Sequence, residues 1–396
     1  MKALKSQINL KLTNNTSFNQ NVDILGVIPN PYSANNSNAL YNFNMSSVTY
    51  TGISSVSITY YLISNPTPIT TSVSLTTQNI QGVVDALNTL GIGIFNFSGT
   101  TIYVSSSIYV YSNITIAGSS ILGTTGINPA GIVLDSLGNV YTSNTGSDDV
   151  TKITPSGVST ILASTGGLNA QGITIDSSNN LYVCNYSTGS ISKITPLGIS
   201  TIFASIGTNP QAITIDNLGN LYVANLTTNN VTKITPLGVA TLLGTTGASP
   251  NGIIVDSAGN VYTANSGSNN VSKITPLGVS TILGTTGTNP YGITIDGAGN
   301  IYTSNENSNN VSKITPLGVS TILGTTGASP YAITIDNAGN IYTANGGSDN
   351  VSKITPLGVS TIIGNTGTLP IAITIDSFGN LYTANNQSDN VSLIVQ

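Results

Sequence analysis

"GITIDGAGNIYTSNENSNNVSKITPLGVSTILG" (residues 292–324) contains four short runs, GITID (292–296), NIYTSN (300–305), NVSKIT (310–315) and GVSTIL (318–323), parted by Gly, Asn and Pro. Their length, their β-branched content and the turn residues between them read as strands and tight turns. No part of the unit has helical periodicity. The unit recurs: the core D-x-x-G/N-N-[LVI]-Y-x-x-N begins at Asp135, Asp176, Asp216, Asp256, Asp296, Asp336 and Asp376, seven copies with one spacing of 41 and five of 40.

Four strands in about 40 residues form one blade of a β-propeller, in which small twisted sheets pack face to face around an axis. Both faces of each sheet must then be apolar. Ile293 and Ile295 point one way, whereas Val311 and Ile314, three apart, point to opposite faces. Complete fourth strands occur six times, at 158–162, 199–203, 239–243, 279–283, 319–323 and 359–363, and the last copy stops at "NVSLIVQ" after its third. The missing strand stands upstream of the first copy, in "ITIAGSSILGTTG" (114–126), so the ring is predicted to close by pairing Ile121 and Leu122 with the strand that carries Val391 and Ile394. An open stack would leave an unpaired edge at each end. Burial of Ile114, Ile116, Ile121 and Leu122 at roughly 1.5–3 kcal/mol each is comparable with the net stability of a domain.

Composition excludes several functions. Only 6% of the 396 residues are charged, against roughly 25% in an average soluble domain, and there is no Arg, His or Trp. A net charge of −5, with six of nine Lys spread evenly through the repeats, gives no basic stripe for nucleic acid. The N-terminus lacks an apolar signal region and no apolar run reaches 18 residues, so neither export nor membrane insertion is expected. The single Cys184 says nothing of the redox compartment.

The pattern P-x-G-I-T-I-D-x-x-G-N-I-Y-T-A-N…N-V-x-K-I-T-P-x-G over 114–396 resembles the NHL and YVTN group of propeller repeats, whose superfamily includes lactonase-type and streptogramin-lyase-type rings. The WD40 pattern fits poorly without Trp. Residues 1–113 do not share the repeat. Alternation in 8–12, 54–64 and 70–77 suggests a small β-rich, sandwich-like domain, and "NIQGVVDALNTLG" (79–91) a single helix with Ile80, Val83, Val84, Leu87 and Leu90 on one face. The stretches "INLKLTNNT", "VDILG" and "VVDALNTLGIGIFNFSGTTIYV" resemble segments of tailed-bacteriophage structural proteins.

The search for chemistry starts from the zero His count. The resemblance to streptogramin-lyase propellers implies a His acid or base in a metal-assisted elimination, and no position supplies one. Ser–His and Cys–His nucleophile systems are excluded likewise. The seven repeat Asp are expected to accept backbone N–H bonds across a tight turn, with a Ca²⁺-holding ring as the alternative. Lys152 and its five equivalents read as stems with solvated tips, Tyr141 and its six as packing residues, and Cys184 as a small core residue.

Variation is confined to two loops that emerge on one face. One begins with Thr145, Tyr186, Leu226, Ser266, Glu306, Gly346 and Asn386; the other carries LNAQ (168–171), TNPQ (208–211), ASPN (248–251), TNPY (288–291), ASPY (328–331) and TLPI (368–371). Tyr186, Tyr291, Tyr331 and Glu306 are therefore the candidate ligand-binding residues, with a host surface glycan as the expected partner.

These readings lead to an expectation of an all-β, non-catalytic structural or attachment protein, without cofactor or metal. On it, residues 1–113 dock on other virion or assembly proteins and a seven-bladed propeller, residues 114–396, is displayed on a phage particle. Weak surface charge suits close packing of many copies, including a homo-oligomer. The alternatives are a cell-surface or secreted adhesin and a lactonase- or lyase-like enzyme, the last needing unlike polar residues inside the channel, of which the repeats are expected to offer too few.

Overall fold

The computed structural model describes residues 119–207 and 209–395 in full and, ahead of them, the backbone of several strands. Those strands include Leu10–Thr13, Ile53–Leu62 and Asn65–Ser74. The helix expected over 79–91 and the side chains of Ile114 and Ile116 lie outside the described residues.

The repeats fold into seven antiparallel sheets, and six of them are built from one copy each. Blade 1 comprises Pro129–Leu134, Val140–Asn144, Asp149–Ile153 and Ser159–Ser164. Blades 2 to 6 repeat this arrangement. The first strands stand next to one another around the axis, and their closeness dictates their composition: a Cβ on Gly172 would lie 2.9 Å from the Ala212 Cα, and one on Gly252 would lie 2.6 Å from the Tyr291 carbonyl oxygen. Hence the position holds Gly131, Gly172, Ala212, Gly252, Gly292, Ala332 and Ala372 and nothing larger. Second strands are buried at every residue in all seven blades. Fourth strands form the rim and mix half-buried with exposed residues.

The core lies between blades. Tyr182, Cys184, Ile191 and Ala204 of blade 2 pack on Ile213, Leu221, Val223 and Ile234 of blade 3, so each sheet is one wall of two cores. Cys184 is wholly buried, in keeping with a small core residue.

The seventh sheet is composite. Pro370–Ile375, Leu381–Asn385 and Asn390–Val395 receive Ile114–Thr124 as their fourth strand, whose first residues also pair with Leu10–Thr13 and Ile53–Leu62. Leu122, Val391 and Ile394 are buried; Ile121 is only half-buried, because the alternation of an outer strand turns it toward the rim. Leu393, which replaces the repeat Lys, is buried where its Lys equivalents are half-exposed. The junction carries the bonds found between any two blades. Thr125 N–H donates to the Asp389 carbonyl at 2.9 Å, as Thr246 N–H does to that of Asn229. Asn128 N–H donates to Asp389 Oδ1 at 2.7 Å, as Ser249 N–H does to Asn229 Oδ1. Asn128 Nδ2 reaches the Asn386 carbonyl, and Asn386 Nδ2 that of Pro129.

One buried feature differs among blades. In blades 1, 4, 5 and 6 a Thr hydroxyl donates to the buried Asn two residues on, as Thr303 does to Asn305 Oδ1 at 3.0 Å. Blades 2 and 3 have Val183 and Val223 there, and Asn185 Oδ1 and Asn225 Oδ1 are left without a donor. An unpaired buried acceptor costs about 1–3 kcal/mol.

Removal of residues 1–124 should abolish the cooperative melting transition in calorimetry; an unchanged transition would contradict closure by this strand. Val223→Thr should raise stability by about 1 kcal/mol in denaturant titration by supplying the absent donor, and a destabilised variant would contradict that assignment.

Candidate active site

Two sets of polar residues sit at opposite ends of the blades, and only one is open to chemistry. At the end where first strands turn into second strands, each repeat Asp is consumed by its own turn. Asp296 Oδ1 accepts the N–H groups of Ala298 and Asn300 at 2.9 and 2.8 Å, while Oδ2 accepts Asn300 Nδ2 at 2.7 Å and the Tyr302 hydroxyl at 3.0 Å. The same four bonds recur in the other blades, for example at Asp135 and Asp376. Gly299, at φ +80°, makes the turn possible.

The repeat Tyr is thus a hydrogen-bond donor as well as a packing residue. In six blades its ring also lies under the repeat Lys, with Nζ 5.5 to 5.7 Å from the ring centroid. The Lys tip is therefore seated, where the sequence suggested only a solvated one. Burial by itself would raise the carboxyl pKa of Asp296, but the bonds from Asn300, Tyr302 and Ala298 outweigh it and hold the group below the usual Asp value. The same holds in five other blades. With four bonds on each carboxylate, this ring has no lone pairs free for a cation. Among the described residues no three His, Cys, Asp or Glu side chains stand together.

The other end is different. Position 291 and its equivalents Ala130, Gln171, Gln211, Asn251, Tyr331 and Ile371 start the axial strands, so these unlike residues ring the channel mouth. Five polar or aromatic side chains from three blades are linked there. Asn289, held in the left-handed region at φ 59°, donates Nδ2 to Glu306 Oε2 at 2.5 Å, and Glu306 N–H donates to the Asn289 carbonyl at 2.9 Å. Tyr331 of blade 6 hydrogen-bonds Glu306 of blade 5; burial, that bond and the carboxylate charge push its phenol up to about 12. The Tyr291 and Tyr331 rings meet edge to face, centroids 5.1 Å apart. Tyr291 reaches past blade 4 to Gln211 of blade 3; burial and then the Glu306 charge raise its pKa, and the Gln211 bond opposes them.

Gly346 completes the arrangement. It occupies the slot that holds Glu306 one blade earlier, and a Cβ there would fall 2.6 Å from Tyr331 Cε2. The missing side chain is what lets the Tyr331 ring lie toward Glu306.

The structure therefore brings together three of the four candidate ligand residues, Tyr291, Tyr331 and Glu306. Tyr186 stands apart in blade 2, where its backbone closes a loop through Asn169 and Asn209. Gln211, Asn289 and Gly346 were not singled out from the sequence, although all three lie in its variable loops.

A family model described as the virginiamycin B lyase family matches residues 116–346, more than half of the chain. No curated protein sequence matches. Among solved structures, virginiamycin B lyase from Staphylococcus aureus superposes with a TM-score of 0.63 at 18% identity, covering 71% of this chain and 99% of that one. A streptogramin B lyase gives 0.62 at 17% identity, covering 71% and 98%. A catalytically inactive histidine-to-alanine variant of the S. aureus enzyme with quinupristin gives 0.59 at 18%, covering 68% and 95%. At these identities the structural likeness shows the ring alone.

The family match overturns the expectation of a non-catalytic virion or attachment protein, and it gives the phage resemblance no support. Uniform blades do not exclude an active channel: the repeat fixes residues that pack, whereas the channel mouth is built from positions that do not repeat.

Because Asp135, Asp176, Asp216, Asp256, Asp296 and Asp336 have lowered pKa values, their contribution to stability is full above about pH 4, the unfolded Asp value, and is lost as pH falls through the depressed folded values. The melting temperature should therefore be flat from pH 7 to 5 and fall steeply toward pH 3; a flat profile to pH 3 would contradict the turn network. Gly346→Ala should displace Tyr331 and lower its phenol pKa in an ultraviolet titration while leaving the melting temperature within a few degrees.

Proposed function

Because the chain belongs to the virginiamycin B lyase family, we propose that it is a propeller enzyme of lyase type, which opens an ester within a cyclic substrate at the channel mouth by acid–base chemistry of Glu306 and Tyr331. The observation that carries this reading is the group of Asn289, Glu306, Tyr331, Tyr291 and Gln211, drawn from blades 3, 5 and 6 at loop ends where the repeats differ.

The related S. aureus lyase loses activity when a histidine becomes alanine, and this chain has no His at any position. The proton must therefore go elsewhere. Glu306 is the carboxylate at the mouth, oriented by Asn289, and takes a proton from the carbon beside a carbonyl. The C–H electron pair becomes a C=C bond, the neighbouring C–O bond breaks, and the ester oxygen departs in a carboxylate. No oxidant or second substrate is needed. Tyr331, with its pKa near 12, stays protonated at neutral pH and donates to the carbonyl oxygen as charge develops there.

The resemblance to streptogramin-lyase propellers implies a metal, and the donor set here does not suit one. A hard divalent cation takes six or more oxygens, usually with carboxylates among them. The mouth group has only Glu306, already spanned by Asn289 and Tyr331, and does not fit such an ion.

Incubation with quinupristin, followed by mass spectrometry, tests this. Elimination within a ring leaves the mass unchanged and gives a new retention time, whereas hydrolysis adds one water. We expect the elimination product, a rate reduced about 100-fold or more in Glu306→Gln, and a smaller loss in Tyr331→Phe. Equal rates for the protein and Glu306→Gln, or no product from quinupristin and a panel of cyclic esters, would overturn it.

A further inference from the structure

We propose that the face opposite the channel mouth is a self-association surface, on which a second copy of this chain lies face to face. Antiparallel strands put two turns of each of blades 1 to 6 on this face, the Asp-x-x-Gly/Asn-Asn turn and the Thr-Pro-Leu/Ser-Gly turn, and the first of these in blade 7. The two touch each other: a Cβ on Gly138 would lie 3.4 Å from Pro155 Cγ.

In five consecutive blades the outer turn presents Leu197, Leu237, Leu277, Leu317 and Leu357, which are 88% to 93% exposed. The inner turns add Leu137, Leu218 and Phe378, at 76%, 80% and 87%. These tips cannot fold back. Gly318 N–H donates to the Thr315 carbonyl at 2.8 Å and Val319 N–H to Thr315 Oγ1 at 3.1 Å, so the turn is braced on both sides and Leu317 projects from it. Blade 1 has the same turn with Ser156 at the tip, so its geometry does not require an apolar residue there.

Scattered exposed leucines are ordinary, but eight large apolar side chains on one face are a patch, and monomers rarely leave such patches open. At roughly 100 Å² of apolar area per side chain, the tips offer about 800 Å², the share one partner gives to a standard stable interface. The charges nearest them, Asp and Lys, meet through the repeat Tyr in six blades, as Asp296 and Lys313 do through Tyr302, and the tips carry none. Like-charge repulsion against a copy is therefore small. The tips recur in five consecutive blades, so a copy turned by half a blade can set Leu tips between those of its partner. Paired in this way, the end of each ring that carries Glu306 faces away from the partner.

Sedimentation velocity of the full chain over a wide concentration range tests the proposal. We expect a dimer, and we expect Leu277→Glu with Leu317→Glu to raise its dissociation constant more than about 100-fold. Should that variant fail to fold, Leu277→Ser with Leu317→Ser copies the residue that blade 1 already carries and should weaken the dimer in the same direction. A chain that stays monomeric at the highest concentration, or a folded double variant that dimerises like the parent, overturns it. A monomer that co-floats with neutral phosphatidylcholine vesicles assigns the face to lipid and overturns it equally.

Discussion

Ring closure is the constraint on which the rest depends. Each blade buries both faces, so no blade is complete without two neighbours, and the first and last can have two only if the chain's ends meet. They meet by sharing a sheet. Ile114–Thr124 forms the outer strand of a blade whose other strands come from the far end of the repeats. Asp389 then ties the start of blade 1 through its carbonyl and its carboxylate, to Thr125 and Asn128. These bonds match those between interior blades, so the ring has no weaker seam at this point.

Closure also explains how a nearly uniform repeat can build a non-uniform site. The residues that hold a blade together are fixed by packing and turn geometry, as the four bonds on each Asp and the small residues along the axis show. Only the loop ends of the axial strands escape these demands. A closed ring turns those free positions inward on a common mouth, and residues 80 apart in sequence, Gln211 and Tyr291, become partners. Packing sets the scaffold at one end of the blades, and difference sets the chemistry at the other.

The fold was legible because the repeat states it seven times and the displaced strand leaves its absence visible at the chain's end. Strand order, the composite seventh blade and the structural use of the repeat Asp all follow from residues that recur. The site was legible only in part. Tyr291, Tyr331 and Glu306 stood out because they vary, yet variation alone could not separate them from Tyr186, which varies equally and sits in another blade. What joins the three is the distance between neighbouring blades and the room left by Gly346, and neither is visible in a linear pattern. The Lys–Tyr–Asp arrangement was missed for a related reason: it depends on residues that lie on different strands of the same sheet and point to the same side. The functional reading failed where it treated uniform blades as evidence against an active channel, when the mouth is the part of each blade that need not be uniform.

Amide hydrogen exchange tests the central claim most directly. In a closed ring Thr125 N–H, bonded to the Asp389 carbonyl, should be as protected as its interior counterpart Thr246 N–H, bonded to that of Asn229. Equal protection of the two, lost together on unfolding, is the expected result. Fast exchange at Thr125 beside a protected Thr246 would mean that the ring is open at its junction, and that the mouth is not held as a single site.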